Sequence, residues 1–335
     1  MTPLYDRDGW LWLDGEWLPW REATTHLLTH SLHYGMGCFE GVRAYAGASG
    51  TQLFRVAEHT RRLLDSAHIL DIPLAFDAEA LIEAQRQCLI RNGLQDAYLK
   101  PTVFLGAEGL GLRAKGLTTH VMVAAWDLGA YISPEATAIG LRAITSSWAR
   151  HHVNVSACRA KTNGNYVNSI MALNSAVKAG FDETLMLDTE GYVAEASAAN
   201  VFLLRDGVLH TPQTTSCLQG ITRDSVIRLA RDVMGVEVVE RRITRDEVYT
   251  ADEAFVTGTA AEILPLRELD GRHIGARVGA PPPSHPIDEG SFTARLQALY
   301  RRVTRGEFGD GLEGYAEWLT SVKVQDREGL RKTPR

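Results

Sequence analysis

Lysine is scarce in this chain of 335 residues: it stands at 100, 115, 161, 178, 323 and 332, against twenty-nine arginines. A primary amine can form an imine with an aldehyde and a guanidinium cannot, so chemistry of that kind has few candidates here. Lys323 and Lys332 lie in a polar C-terminal tail, and Lys178, just before Gly180, reads as a last-turn helix lysine. Lys115 sits in a glycine-rich loop. Lys100 lies in the apolar run Ala97 to Leu105, next to Pro101, and Lys161 in the polar stretch Arg159-Ala160-Lys161-Thr162-Asn163-Gly164-Asn165-Tyr166. The second stretch runs directly into an apolar-periodic segment, Ile170 to Ala179, so Lys161 is placed at the entry to a helix.

Two further places suit an anion. Gly220-Ile221-Thr222 opens a helical pattern, and a helix start offers unpaired N–H groups and a partial positive charge, with the threonine hydroxyl able to cap or to bind. Gly258-Thr259-Ala260 follows a strand and could add main-chain donors. Arg62 could complete such a cradle with its planar fork, or pair with Glu58 four residues earlier. Glu195 lies in the small, apolar stretch Tyr192-Val193-Ala194-Glu195-Ala196-Ser197, where a carboxylate is costly to bury unless it meets a cation. A protonated pyridine nitrogen is one such cation, and an ordinary loop carboxylate is the alternative. His26, His30 and His33, spaced four and three apart, could share a helical face for a metal. The glycine-rich run from Gly35 to Gly41 ends any such helix, so no metal is expected.

The elements that must carry these residues alternate between strand and helix. Leu11 to Trp17 holds an Asp14-Gly15 turn, and Cys38 to Tyr45 with Gln52 to Phe54 reads as a strand pair. Helices follow at Glu58 to Leu70, with Leu63, Leu64, Ala67 and Leu70 on one face, and at Ala78 to Asn92; strands follow at 97–105 and 119–126. Later come a strand near 139–146, the lysine segment and its helix, and strands 200–204 and 208–210 around Asp206-Gly207. A helix is expected at Thr222 to Val233, strands at 236–241 and 252–257, and helices near 244–249 and 293–303. The length suits two domains: a smaller α/β domain over 1–128, a loop over 129–137, a larger domain over 138–322, and a disordered tail over 323–335.

A net charge of -6 argues against a nucleic-acid binder, which needs clustered cations. No apolar run approaches the ~20 residues of a membrane helix. The N-terminus lacks a secretory pattern, and Cys38, Cys88, Cys158 and Cys217 form no close pair, so a cytoplasmic protein is expected.

Five motifs, in order, resemble the branched-chain amino-acid aminotransferases of the fold-type IV pyridoxal phosphate enzymes. They are His33-Tyr34-Gly35 with Phe39-Glu40-Gly41-Val42-Arg43-Ala44-Tyr45; Lys161 with Gly164-Asn165-Tyr166; Gly191-Tyr192 with Glu195 and Asn200-Val201-Phe202; Gly220-Ile221-Thr222-Arg223; and Gly258-Thr259-Ala260-Ala261-Glu262. The resemblance spans Trp10 to Val322. It implies a mixed α/β fold like that of D-amino-acid aminotransferase, pyridoxal 5'-phosphate as cofactor, and transamination of branched-chain or other apolar L-amino acids with 2-oxoglutarate. It further implies that Lys161 forms the imine, Glu195 pairs with the pyridine nitrogen, Tyr166 meets the ring hydroxyl and Leu218 lies on the ring face. Arg62, the Ile221 and Thr222 amides and Thr259 would hold the phosphate. Tyr98 with the Thr259 and Ala260 amides would hold the substrate α-carboxylate, while Tyr34, Phe39, Trp126 and Tyr131 would wall the side-chain pocket and Arg43 would orient carboxylates. A homodimer or higher homo-oligomer is implied, with the loop Gly109 to Lys115 closing the partner's pocket. The chain departs from the family pattern in having Lys100 where arginine is usual, and Ala196 and Ala199 where glycine and glutamate are common. A specialised or D-amino-acid aminotransferase, or a lyase acting on aminodeoxychorismate, would share Lys161 and Glu195.

Overall fold

Asp14-Gly15 and Asp206-Gly207 both take positive φ, 52° and 99° in the first pair and 49° and 79° in the second. That is the conformation a tight hairpin turn demands, and these pairs close hairpins in two different sheets. The computed structural model describes residues 3–47, 49–114, 116–129, 139–276 and 290–324. The chain splits into two compact units, one running to Gly129 and adding Ala160–Gly164 and the chain from Val303, the other taking the remainder through Arg302. A division at 128 and 138 alone would put Lys161 in the second domain. Main-chain bonds from Phe39 to Lys161 and from Gly164 to Gly35 tie that segment to the first unit instead.

In the first unit, β1 (Trp10–Leu13), β2 (Glu16–Pro19), β3 (Gly37–Phe39), β4 (Val42–Gly47), β5 (Gly50–Phe54), β6 (Ala97–Leu105) and β7 (Thr119–Trp126) share one sheet with the strand Leu319–Val322. From one edge the order is Leu319–Val322, β5, β4, β6, β7, β1, β2, with β3 also on β6. The single strand expected over 38–45 is two. Glu40 and Gly41 interrupt it because the Phe39 amide turns to the Lys161 carbonyl while the Glu40 amide bonds to Pro101. Helix α1 (His30–Tyr34) precedes the sheet's centre; α2 (Val56–Ile69) and α3 (Ala78–Asn92) pack on it, burying Leu63, Leu81, Leu89, Leu99 and Val103 in one core. Asp77 caps α3 by accepting the Ala80 amide at 2.9 Å.

Helix α2 turns its expected face to the core and widens it. Its buried residues are Val56, His59, Thr60, Leu63, Ser66 and Ala67, with Leu64 and Leu70 partly buried against the same core, so three polar side chains join the apolar ones on the inner face. A polar inner face is stable only if its groups find partners. Gln85 on α3 donates to Thr60 at 3.0 Å, and Ser66 accepts the Lys161 amide at 3.0 Å.

The second unit contains β8 (Leu141–Thr145), α4 (Tyr166–Lys178), β9 (Glu183–Leu187), β10 (Val193–Ala196), β11 (Asn200–Arg205), β12 (Val208–Pro212), α5 (Ile221–Arg228), β13 (Val238–Arg241), α6 (Arg245–Tyr249), β14 (Glu253–Gly258), β15 (Glu262–Leu269) and β16 (Arg272–His273). Its sheet runs β10, β9, β8, β15, β14, β11, β12, β13, with β16 on β15. β8 is parallel to β9 and β15, and the connection from β8 to β9 carries α4. Helix α4 starts at Tyr166, four residues before the expected apolar segment, and the helix expected over 222–233 is α5 followed by a π-helical turn, Leu229–Val233. Helix α7 (Phe292–Thr304) is capped by Glu253, whose carboxylate accepts the Phe292 and Thr293 amides at 2.8 Å each.

Leu89→Ala would open a cavity between α3 and the first sheet. It should destabilise the first unit by about 2–5 kcal/mol, read as a lower urea midpoint; an unchanged midpoint would mean that this core is not closely packed.

Candidate active site

Lys161 is fixed through its main chain before its side chain is considered. Its amide donates to Ser66 Oγ at 3.0 Å, its carbonyl accepts the Phe39 amide at 3.1 Å, and Thr162 bridges to Cys38. Extending β3 in this way pins the lysine to a sheet edge, so the side chain leaves from a rigid base. Lys161 Nζ lies 5.1 Å from the centre of the Phe39 ring, and Lys100 Nζ lies 4.5 Å from the same centre. Both amines left by elimination thus face one aromatic ring. Burial first, and then the charge of Lys161, push the Lys100 pKa down from the usual lysine value.

The residues expected to meet substrate in this unit occupy one face of the first sheet. Tyr98 is registered with Arg43 on β4 and with Trp126 on β7, and Lys100 follows Tyr98 at the two-residue strand period. All four are half-buried, whereas Ala97, Leu99 and Pro101 between them are buried on the other face. The Tyr98 and Trp126 ring centres are 5.3 Å apart, and Arg43 lies over Tyr45 at 5.0 Å. A Cβ at Gly41 would come within 2.0 Å of the Tyr98 hydroxyl, so the tyrosine occupies the space that glycine leaves. The Tyr34 hydroxyl accepts the Gly111 amide at 3.1 Å, and His30 Nε2 faces the Gly111 carbonyl at 2.8 Å. His33 meets the Leu27 carbonyl and His26 the Leu28 amide, so these three imidazoles are held by separate main-chain groups. Tyr131 and Lys115 lie outside the described residues.

Arg62 does not pair with Glu58, which takes Arg55 at 2.7 Å. Its Nε and Nη2 donate to the two oxygens of Glu40 at 2.5 and 2.9 Å, and His59 Nδ1 reaches the same carboxylate at 2.7 Å. Glu40 is wholly buried. Burial alone would raise its pKa, but the charge of Arg62 and the hydrogen bonds from Arg62 and His59 outweigh this and hold it well below the usual carboxylate range.

In the second unit Glu195 is 6% exposed, and its Oε1 meets Arg150 Nη2 at 2.9 Å, so its cation is an arginine 6% exposed itself. Its Oε2 accepts the Leu218 amide at 3.4 Å, and Asn200 Nδ2 donates to the Leu218 carbonyl at 2.9 Å. Asn200 also packs on Gly220, where a Cβ would lie 1.9 Å from Asn200 Oδ1. The chain passes from there into α5, whose first residues, Ile221 and Thr222, are buried and whose cap, Gly220, offers no side chain. Asn200 is registered with Thr257, just before Gly258, Thr259 and Ala260 in the β14–β15 turn. Thr257 Oγ1 and Arg150 Nε are buried with no hydrogen-bond partner among the described residues. Tyr166 is half-buried at the start of α4. Burial pushes the Cys217 thiol up to about 12, which leaves it a poor nucleophile.

A buried carboxylate, two orphaned donors and a helix start with a glycine cap thus belong to this one unit. Among the described residues no three potential ligands gather for a metal. Glu40 and Asn200 lie inside the motifs quoted above without a role of their own, whereas His59, Ser66 and Arg150 belong to these constellations and carry no local sign of it. For Glu40 the burial argument applied to Glu195 applies equally, since it is a carboxylate between Phe39 and Gly41.

A family model described as amino-transferase class IV matches residues 37–269. A branched-chain-amino-acid aminotransferase of Pseudomonas aeruginosa is 52% identical over 320 residues, covering 96% of this chain and 99% of that protein. The T.th. branched-chain amino acid aminotransferase complexed with N-(5'-phosphopyridoxyl)-L-glutamate is 43% identical, with a TM-score of 0.86 over 95% of this chain and 99% of that one. The same enzyme with pyridoxamine 5'-phosphate gives 44% and a TM-score of 0.87, with the same coverage.

The lowered pKa of Glu40 fixes a sign. A carboxylate depressed by folding contributes stability above its unfolded value of about 4.3, and that contribution is lost as pH falls from there towards the folded value. Glu40→Gln should therefore be destabilised relative to the natural protein at pH 7, with the gap narrowing below about pH 4. Urea midpoints at both pH values test this, and a gap that widens in acid contradicts it.

Proposed function

The chain belongs to the class IV aminotransferases, and from that premise we propose that it transfers the amino group of branched-chain or other apolar L-amino acids to 2-oxoglutarate, using pyridoxal 5'-phosphate. Each unit supplies groups that suit this cofactor: in the second a buried carboxylate, a helix start with a glycine cap and an unpartnered threonine hydroxyl, and in the first an amine on a rigid strand edge. When bound, the cofactor supplies an aldehyde that takes up amines and a ring that accepts electron density from the α-carbon.

Lys161 would hold the cofactor through Nζ, and once replaced by an incoming amino acid that nitrogen would take the substrate's α-proton and pass it to the cofactor's former aldehyde carbon, so that the substrate can leave as a 2-oxo acid. Glu195 pairs with the ring nitrogen, and Arg150 keeps that carboxylate oriented. Tyr166 donates to the ring hydroxyl and Leu218 covers a ring face. Arg62, the Ile221 and Thr222 amides and Thr259 hold the phosphate. Tyr98 with the Thr259 and Ala260 amides holds the α-carboxylate, while Tyr34, Phe39, Trp126 and Tyr131 enclose the apolar side chain. One pocket must also accept the distal carboxylate of 2-oxoglutarate, and Arg43 and Lys100 supply cations beside the aromatic wall. The observation that most supports this reading is the setting of Lys161, gripped on both main-chain sides and facing Phe39 together with Lys100.

The enzyme works in the cytoplasm as a homodimer or larger homo-oligomer, with amino acids and 2-oxo acids as its small-molecule partners and neither nucleic acid nor membrane among them. The four cysteines are unpaired, as in a reducing compartment. No described helix is long and apolar enough to cross a membrane. Helix α4 exposes Val167, Ile170, Met171 and Val177 along one stripe, an apolar surface suited to a second copy.

Lys161→Ala should lose turnover by at least about 10²–10⁴-fold, together with the cofactor's protein-bound absorbance. Assay with L-leucine and 2-oxoglutarate, alongside the spectrum of the purified protein, decides this; near-normal turnover would end the mechanism.

A further inference from the structure

Two further groups stand behind Arg62, Glu40 and His59. Glu40 holds Arg62 by the Nε–Nη2 edge, which fixes the plane of the guanidinium. Its Oε2 also meets His59 Nδ1 at 2.7 Å. An ionised carboxylate can only accept, so Nδ1 carries the hydrogen and donates. The three side chains come from the link between β3 and β4 and from one face of α2. Glu40 and His59 are almost fully enclosed, with side-chain exposures of 0% and 2%, and Arg62 is 13% exposed.

Charges in such a place must nearly cancel. Glu40 and Arg62 do cancel, which favours an uncharged His59. The charged groups bearing on His59 are Glu40, Arg62 and Lys161. Burial pushes its pKa down most, Glu40 pulls it up, and Arg62 and Lys161 push it down further. A phosphate monoester dianion arriving at Arg62 shifts this balance towards a second proton on the ring, because it offsets the two cations that add to the effect of burial.

We propose that Glu40 and His59 are positioning residues for the cofactor's phosphate: Glu40 aims Arg62, and His59 takes up a proton from solvent when a phosphate monoester binds there. The proposal rests on the assignment of Arg62 to the phosphate. Binding and protonation are reciprocal, so phosphate affinity gains a component that strengthens as pH falls and that belongs to His59.

The test titrates apoenzyme with pyridoxamine 5'-phosphate in two buffers of different ionisation enthalpy, which counts the protons taken up on binding. The natural protein should take up on the order of half a proton more than His59→Gln, and unphosphorylated pyridoxamine should show no such difference. Equal counts for the two proteins overturn the proposal. Should His59→Gln fold poorly, histidine-selective NMR of the natural protein serves instead. The His59 ring should move towards the imidazolium signature on adding the probe, and an unmoved ring overturns the proposal. Arg62→Met separates the two levels: affinity equal to that of the natural protein removes the assignment of Arg62, whereas weakened affinity with equal proton counts removes the linkage alone.

Discussion

A charge taken out of water must meet its opposite, and this requirement organises both constellations of this chain. In the first unit it draws Arg62 and His59 onto the buried Glu40 and so turns a polar face of α2 inward. In the second it draws Arg150 onto Glu195. Each pair is enclosed, so each guanidinium is fixed in direction, and a fixed cation can recognise an anion without first being ordered. The same face of α2 presents Ser66 to the Lys161 amide, so the electrostatic demand of Glu40 and the placement of the amine share one helix face.

Much of the fold could be read from the sequence because the signals were local. Asp-Gly turns have a steric cause within two residues, and the apolar periods of α3 and α4 lie within one helix. The polar share of α2's inner face could not be read this way. Leu64 and Leu70 do reach the core, but His59 and Ser66 are buried as well because their partners, Glu40 and the Lys161 amide, are brought there by strand pairing from distant parts of the chain. The break between β3 and β4 has the same origin, since it depends on the segment carrying Lys161 adding itself beside Phe39.

The candidate site divides along the same line. Elimination left Lys161 together with Lys100, Glu195 stood out by an improbable burial, and Gly220 by its place before a helix. Arg150 has no such mark, being one arginine among many, and becomes meaningful only through its 2.9 Å contact with Glu195. Lys100 is the reverse case: its sequence position distinguished it, and the fold sets it on the same aromatic ring as Lys161.

Two amines facing Phe39 make the identity of the covalent lysine the central question. Borohydride reduction of the cofactor-bound enzyme, followed by proteolysis and mass spectrometry of the modified peptide, answers it directly. The account predicts a single phosphopyridoxyl adduct on Lys161; the adduct on Lys100, or none on either residue, would contradict it.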